Sequence, residues 1–326
     1  MTTSAEPAIQ TQDLTKRYGD RTAVDTLTMH VPSGVIAGFV GPNGSGKTTT
    51  LRMLLGLVRP SAGEGRVLGE PLSDPERYLA RVGALIESPA FYPGLSGERN
   101  LAVQAVLGGL DPSRIPVVLD RVGLLDRAGD PYRTYSLGMK QRLGIAAALL
   151  GNPTVLILDE PTNGLDPAGI REMRELLRSL SGDGRTVFVS SHLLAEVEQV
   201  CDWLVIIEQG RLVFEGSTVD LLAGGGDSLV VASEHPSDLP RLEALLQRRG
   251  LPSTRNGHRL WVALEDLAGR GQGSPTAVLA ELNRAAMAEQ ITLVELSVAR
   301  SHLEDRYLNL TAGGAGSRLT TERSAR

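Results

Sequence analysis

Residues 35–48 read Val-Ile-Ala-Gly-Phe-Val-Gly-Pro-Asn-Gly-Ser-Gly-Lys-Thr, and few stretches constrain a chain as tightly. The apolar run predicts a buried strand stopping at Gly41. Beyond the glycines, Leu51, Leu54, Leu55 and Val58 recur at helical spacing, so strand, glycine-rich turn and helix follow within about 25 residues. Gly41-Pro42-Asn43-Gly44-Ser45-Gly46-Lys47-Thr48 fits G-x-x-x-x-G-K-[ST] in the context that pattern needs. Its glycines let successive N–H groups and the helix start surround phosphates, Lys47 adds a point charge, and Thr48 offers a hydroxyl to Mg²⁺.

A second apolar strand, Val155 to Leu158, runs into Asp159 and Glu160. Continuous apolar residues mark a strand buried on both faces of a parallel sheet, whose C-terminal end is where ligands bind. Asp159 is thereby placed to hold Mg²⁺, and Glu160 to orient or deprotonate water. Thr186 to Ser190 reads as a third strand. Asp166-Pro167 is an N-cap and N1 pair for a helix whose face carries Ile170, Met173, Leu176, Leu177 and Leu180. Trp203 to Ile207 and Leu212 to Phe214 flank Glu208-Gln209-Gly210-Arg211, which predicts a hairpin.

The 326 residues predict two domains. A net charge of −5 argues against a globally basic nucleic-acid binder. The single cysteine, Cys201, reads as a small buried hydrophobe, and the first residues carry no signal-peptide pattern. No apolar run approaches the ~20 residues that span a bilayer. Of 33 basic residues only Lys16, Lys47 and Lys140 are lysine, so a lysine kept in a phosphate loop stands out against an arginine background.

The first domain is expected over 1–216, with a helical part at about 91–150, and residues 217–228, with glycines at 224–226, as the linker. Residues 229–310 read strand, helix, strand, helix, strand, a small α+β domain, and 311–326 read as a disordered tail. His235, His258 and His302 are scattered and read as surface residues, and Trp203 and Trp261 as packing residues.

Between and after the two phosphate-site motifs lie others. Tyr135-Ser136-Leu137-Gly138-Met139-Lys140-Gln141-Arg142 resembles the signature motif of ATP-binding cassette (ABC) ATPases. Pro161 to Pro167 resembles their D-loop, Ser190-Ser191-His192 their switch-histidine loop, and Tyr18-Gly19-Asp20 their aromatic A-loop. The order of these motifs over residues 9–216 resembles that family throughout, and 303–308 resembles the appended domain of drug- and bacitracin-type exporter ATPases. The resemblance implies an α/β fold: a RecA-like core with an antiparallel β part and a helical subdomain. It implies that Tyr18 stacks on adenine, that the loop from Gly41 to Thr48 with Thr49 holds the phosphates of ATP, and that Asp159 and Thr48 hold Mg²⁺. Glu160 would be the general base and His192 would contact the terminal phosphate, with Lys47 assisting. Ser136 and Gly138 would reach the ATP of a second cassette, making the protein a homodimer or a cassette heterodimer.

Two positions depart from the family pattern. Where the signature usually reads Leu-Ser-Gly-Gly-Gln, this chain has Leu137 between Ser136 and Gly138 and ends on Met139. Where a Q-loop glutamine is usual, Glu87 stands: a carboxylate that can ligate Mg²⁺, cannot donate a hydrogen bond and adds negative charge near phosphates. The implied role is that of an ATP-hydrolysing subunit at the cytoplasmic face of the membrane. It would drive a separately encoded multi-span permease, with export of a drug- or antibiotic-like compound expected and no nucleic-acid partner. Phe91-Tyr92-Pro93 is then a candidate docking surface or a packed turn. The appended domain would serve dimerisation or regulation. The rival expectation is a soluble ABC ATPase acting on ribosomes or DNA; the two fused cassettes or inserted coiled coil of such members do not occur in this sequence.

Overall fold

The computed structural model describes residues 6–87, 90–223, 228–263, 275–299, 303–304 and 306–307. The chain divides into two compact units after Thr218.

The core of the first unit is a six-stranded sheet in the order β10-β9-β3-β8-β7-β6. These strands are β3 (Ile36–Val40), β6 (Val82–Leu85), β7 (Val155–Asp159), β8 (Thr186–Ser191), β9 (Trp203–Glu208) and β10 (Arg211–Ser217). Every residue of β3, β7 and β8 is buried. That is why their central residues are apolar without alternation, the polar ones falling at the strand ends. Their pairings are parallel, with Asp159 opposite Ser190 and Val40 opposite Ser191, so the phosphate loop, the acids and the histidine loop leave the sheet at one end. Phe39 and Phe188 stack at 5.2 Å in the core below, each burial contributing roughly 1.5–3 kcal/mol. The predicted hairpin closes β9 on β10 with two residues, Gln209 (φ 49°) and Gly210 (φ 81°), as the twist of a tight hairpin requires.

A second sheet, ordered β2-β1-β4-β5, is antiparallel. It contains β1 (Ile9–Tyr18), β2 (Arg21–Val31), β4 (Ala62–Val67) and β5 (Glu70–Pro71). Helix α1 (Lys47–Leu54) buries Leu51, Met53 and Leu54 between the two sheets' apolar residues. α2 (Glu76–Leu79) precedes β6, and Tyr78 is fully buried, its hydroxyl donating to the Leu54 carbonyl at 2.9 Å; burial pushes its pKa up to about 12.

Helices α3 (Gly97–Gly108), α4 (Arg114–Arg121) and α5 (Leu137–Leu149) occupy the region expected to be helical. Ser136 caps α5 by accepting from the Met139 N–H, and Ser96 caps α3 in the same way. Phe91 packs edge-on against Tyr132, whereas Tyr92 is exposed, so the candidate docking tripeptide splits into one packing residue and one surface residue. α6 (Pro167–Ser181) starts as its sequence predicts. Asp166 accepts from the Gly169 N–H at 2.9 Å, and Met173, Leu176, Leu177 and Leu180 are buried while Ile170 is half-buried. α7 (Leu194–Val200) leads to Cys201, which is buried, its thiol pKa raised by desolvation.

The expected linker is a correction. β10 continues to Ser217 and α8 (Thr218–Ala223) follows, because Thr218 is tied to the Cys201 carbonyl through its hydroxyl and to the Asp202 carbonyl through its N–H. The glycines at 224–226, His302 and the tail at 311–326 lie outside the described residues.

The second unit carries β11 (Ser228–Ser233), α9 (Leu239–Arg248), β12 (Ser253–Asn256), β13 (Arg259–Ala263), α10 (Pro275–Ala288) and β14 (Leu293–Ala299). Its sheet order is β12-β13-β11-β14, all antiparallel, which is the split βαβ of ferredoxin-like domains. Leu242, Leu245 and Leu246 of α9 and Leu282 of α10 cover the sheet face bearing Leu229, Val231 and Val262. The sequence reading lacked β12, a polar edge strand with no apolar alternation to announce it. His235 and His258 are exposed, as read from sequence.

Candidate active site

The loop between β3 and α1 is built for close approach. A Cβ on Gly41 would stand 2.3 Å from the Ile207 carbonyl oxygen, and one on Gly46, at φ 105°, would stand 2.5 Å from that of Ala23. Only glycine fits either place. Gly46 caps α1 without a side-chain bond, and no acidic residue sits in the first turn, so the helix's leading N–H groups face an anion site. Ser45 Oγ is buried and has no partner among the described residues, an orphaned donor inside the same loop.

Lys47, 6% exposed, donates to the carbonyls of Gly41 (2.7 Å) and Pro42 (3.2 Å). Thr48 donates through Oγ1 to Asp159 Oδ2 at 2.8 Å, uniting hydroxyl and carboxylate as the oxygen pair that suits Mg²⁺ alongside phosphate oxygens. Ser190 Oγ donates to the other Asp159 oxygen and accepts from the Glu160 N–H at 2.9 Å, so one buried hydroxyl orients both acids. Glu160 itself adopts φ 49°, an uncommon backbone for a non-glycine residue that turns its carboxylate into the cleft. There Oε1 lies 3.5 Å from Lys47 Nζ and Oε2 lies 2.8 Å from His192 Nδ1.

Of these groups, Gly46, Lys47, Thr48, Glu160 and His192 line a cleft of about 550 Å³. At its other wall stands Tyr18, 48% exposed, with Lys16 Nζ 5.0 Å from its ring centroid. The cleft brings together Tyr18, Asn43, Gly44, Gly46, Lys47, Thr48, Thr49, Glu160 and His192 of the expected set, and adds Arg21, Ala23 and Asn163, which the sequence reading missed. Arg21 was hidden because its place depends on the β1–β2 hairpin, and Ser190 because its role depends on the pairing of β7 with β8.

Of the other expected residues, Gly41, Pro42 and Ser45 lie within the same loop and Asp159 is bonded to Thr48, whereas Glu87, Ser136 and Gly138 stand apart. Glu87 pairs with Arg52 through Nη2 and is 63% exposed, at φ 62°. Arg52 lies four residues after Thr48, one turn along the same helix face, so the carboxylate is held a turn away from the Thr48–Asp159 pair. Ser136 and Gly138 sit at the start of α5, where Leu137 is exposed and its Cδ2 lies 3.0 Å from a Cβ built on Gly164.

A mostly parallel sheet, a glycine phosphate loop, an oxygen pair for metal and a carboxylate beside a histidine define a P-loop nucleotide hydrolase. The ABC transporter family model matches residues 24–163. The chain is 39% identical over 306 residues to the uncharacterized ABC transporter ATP-binding protein YhcH of Bacillus subtilis, covering 93% of this chain and 95% of that one. It is 49% identical over 210 residues to the bacitracin transport ATP-binding protein BcrA of Bacillus licheniformis, covering 64% and 69%. A solved ATP-binding subunit of an ABC transporter superposes with TM-score 0.59 at 32% identity, covering 67% of this chain and 92% of that one. The chain belongs to the ABC transporter family: it is an ATP-binding subunit whose ATPase activity is coupled to transport. Among the described residues no helix is long and apolar enough to cross a membrane.

Proposed function

We propose that this subunit powers export of an antibiotic-like compound, acting as a dimer of cassettes attached to a separate membrane permease at its cytoplasmic face. The observation that carries the transport cargo is the 49% identity to BcrA through the cassette. Ser136, at a helix start outside its own cleft's lining among the described residues, supports a dimer: its capped helix end is free to meet the terminal phosphate held by a second copy.

Within each cleft the residues divide the work. Tyr18 stacks on the base and the loop N–H groups take the phosphates. Lys47 places its charge against the terminal phosphate, and Glu160 accepts the proton of the attacking water. His192, bonded to Glu160, holds that carboxylate toward the reacting centre. Mg²⁺ held by Thr48 and Asp159 would offset the phosphate charge. Glu87, once released from Arg52, would add a carboxylate to that metal's surroundings.

The test is to express the tagged chain in its own host, extract membranes with mild detergent and identify what copurifies. A multi-span polypeptide supports the proposal, and loss of resistance to a peptide antibiotic on deletion would place its cargo. Recovery from the cytosol with ribosomes or DNA and no membrane partner would overturn it.

A further inference from the structure

Among the described basic residues lining the cleft, Arg21 alone is uncommitted. Lys47 is tied to two carbonyls and faces Glu160, and His192 is bonded to Glu160. Arg52, Arg121, Arg185 and Arg211 each face a carboxylate, whereas the Arg21 side chain makes no hydrogen bond or ion pair among the described residues. Its position is nonetheless fixed at one end: it pairs with Tyr18 across the β1–β2 turn, and its Nη2 lies 4.0 Å from where a Cβ on Gly44 would stand. Gly44, at φ 82°, offers no side chain to cover that approach. A guanidinium beside the amide-lined loop, the α1 N-terminus and Lys47 concentrates positive potential that Glu160 only partly offsets, which favours an anionic occupant.

We infer that Arg21 grips the phosphate chain of the bound nucleotide, between the base on Tyr18 and the terminal phosphate at Lys47. The planar fork of arginine suits two oxygens of a phosphate, and the side chain can turn to them without breaking an internal bond. Because Arg21 pairs with Tyr18 across the β1–β2 turn and its Nη2 approaches the loop at Gly44, three residues before Lys47, its contact serves the inner phosphates shared by ATP and ADP. This rests on the ATP-binding reading of the cleft.

The experiment titrates the full chain with ADP and with a non-hydrolysable ATP analogue by calorimetry, at low and high salt, for wild type, Arg21→Ala and Arg21→Lys. Arg21→Ala is expected to weaken both nucleotides by the same factor, roughly tenfold at low salt and less at high salt, as an exposed charge contact is screened. Arg21→Lys should recover part of the loss, because it restores the charge without the fork, and the melting temperature should not change, since no internal partner is lost. Unchanged ADP affinity would overturn the inference. So would a loss confined to the triphosphate analogue, or one that ignores salt and is not recovered by lysine, which would mark a packing role in the hairpin. A wild-type chain that bound neither nucleotide would instead bring down the ATP-binding reading itself.

Discussion

His192 Nδ1 lies 2.8 Å from Glu160 Oε2, while the second oxygen of that carboxylate lies 3.5 Å from Lys47 Nζ. One carboxylate thus joins the histidine loop to the phosphate loop. Replacing it by an amide of the same shape keeps the fit and removes the base. Glu160→Gln is expected to lower the ATPase turnover by about 10²–10⁴-fold while nucleotide affinity changes by only a few-fold. Phosphate release and equilibrium binding read the two separately, and near-normal turnover would strip Glu160 of its role.

Ser190 is fully buried and serves both Asp159 and the Glu160 backbone. Ser190→Ala leaves a carboxylate oxygen and an amide without their partner, at a cost of roughly 1–3 kcal/mol. A urea unfolding midpoint lowered accordingly, with a fall in turnover, is the expected result. Ser190→Thr, which keeps the hydroxyl, should retain more of both.

Glu87 and Arg52 are 63% and 39% exposed, so their pairing contributes less than about 1 kcal/mol to stability. Glu87→Gln should therefore leave the melting temperature nearly unchanged. If the carboxylate visits the metal during turnover, the variant needs more Mg²⁺ for half-maximal ATPase rate, and this is the expected outcome. An unaltered rate and Mg²⁺ dependence would confine Glu87 to its contact with Arg52.

His30 carries a pKa raised above its ordinary 6.5, chiefly by its hydrogen bond to Glu215, and its ring lies 5.1 Å from that of Trp203. A histidine whose folded-state pKa is raised contributes stability fully below the unfolded value and loses it as pH climbs through the folded one. Wild type should therefore exceed His30→Gln in melting temperature near pH 6, and the gap should close as pH rises past the raised value. A gap independent of pH would show that the ring packs on Trp203 without using its charge.

The phosphate loop, the acidic strand and α6 were legible in the sequence because each is dictated locally. Glycine at Gly41 and Gly46 answers a contact that admits no Cβ, and Asp166-Pro167 caps its own helix. β1, β4 and β12 were not. Their exposed polar positions satisfy their partners through backbone pairing, which leaves weak periodicity in the residues themselves. The helix Thr218–Ala223 escaped notice for a related reason: the bonds of Thr218 to Cys201 and Asp202 cross 16 and more residues of chain. Glu87 was read for its chemistry alone, and its partner Arg52 could not be known before the fold brought α1 to the residues that follow β6.

The pairing of Asp159 with Ser190 across β7 and β8 also bears on how the molecule becomes active. These strands are parallel, joined through α6, and their alignment sets which residues meet at the sheet's end. A slip by one residue would send Ser190 to the opposite face and leave both acids unoriented, with no later step to repair them. Pairings of this kind close long stretches of chain and form slowly. Catalytic competence therefore cannot precede the locking of this register, and the return of ATPase activity during refolding reports no earlier event than the completion of the central sheet.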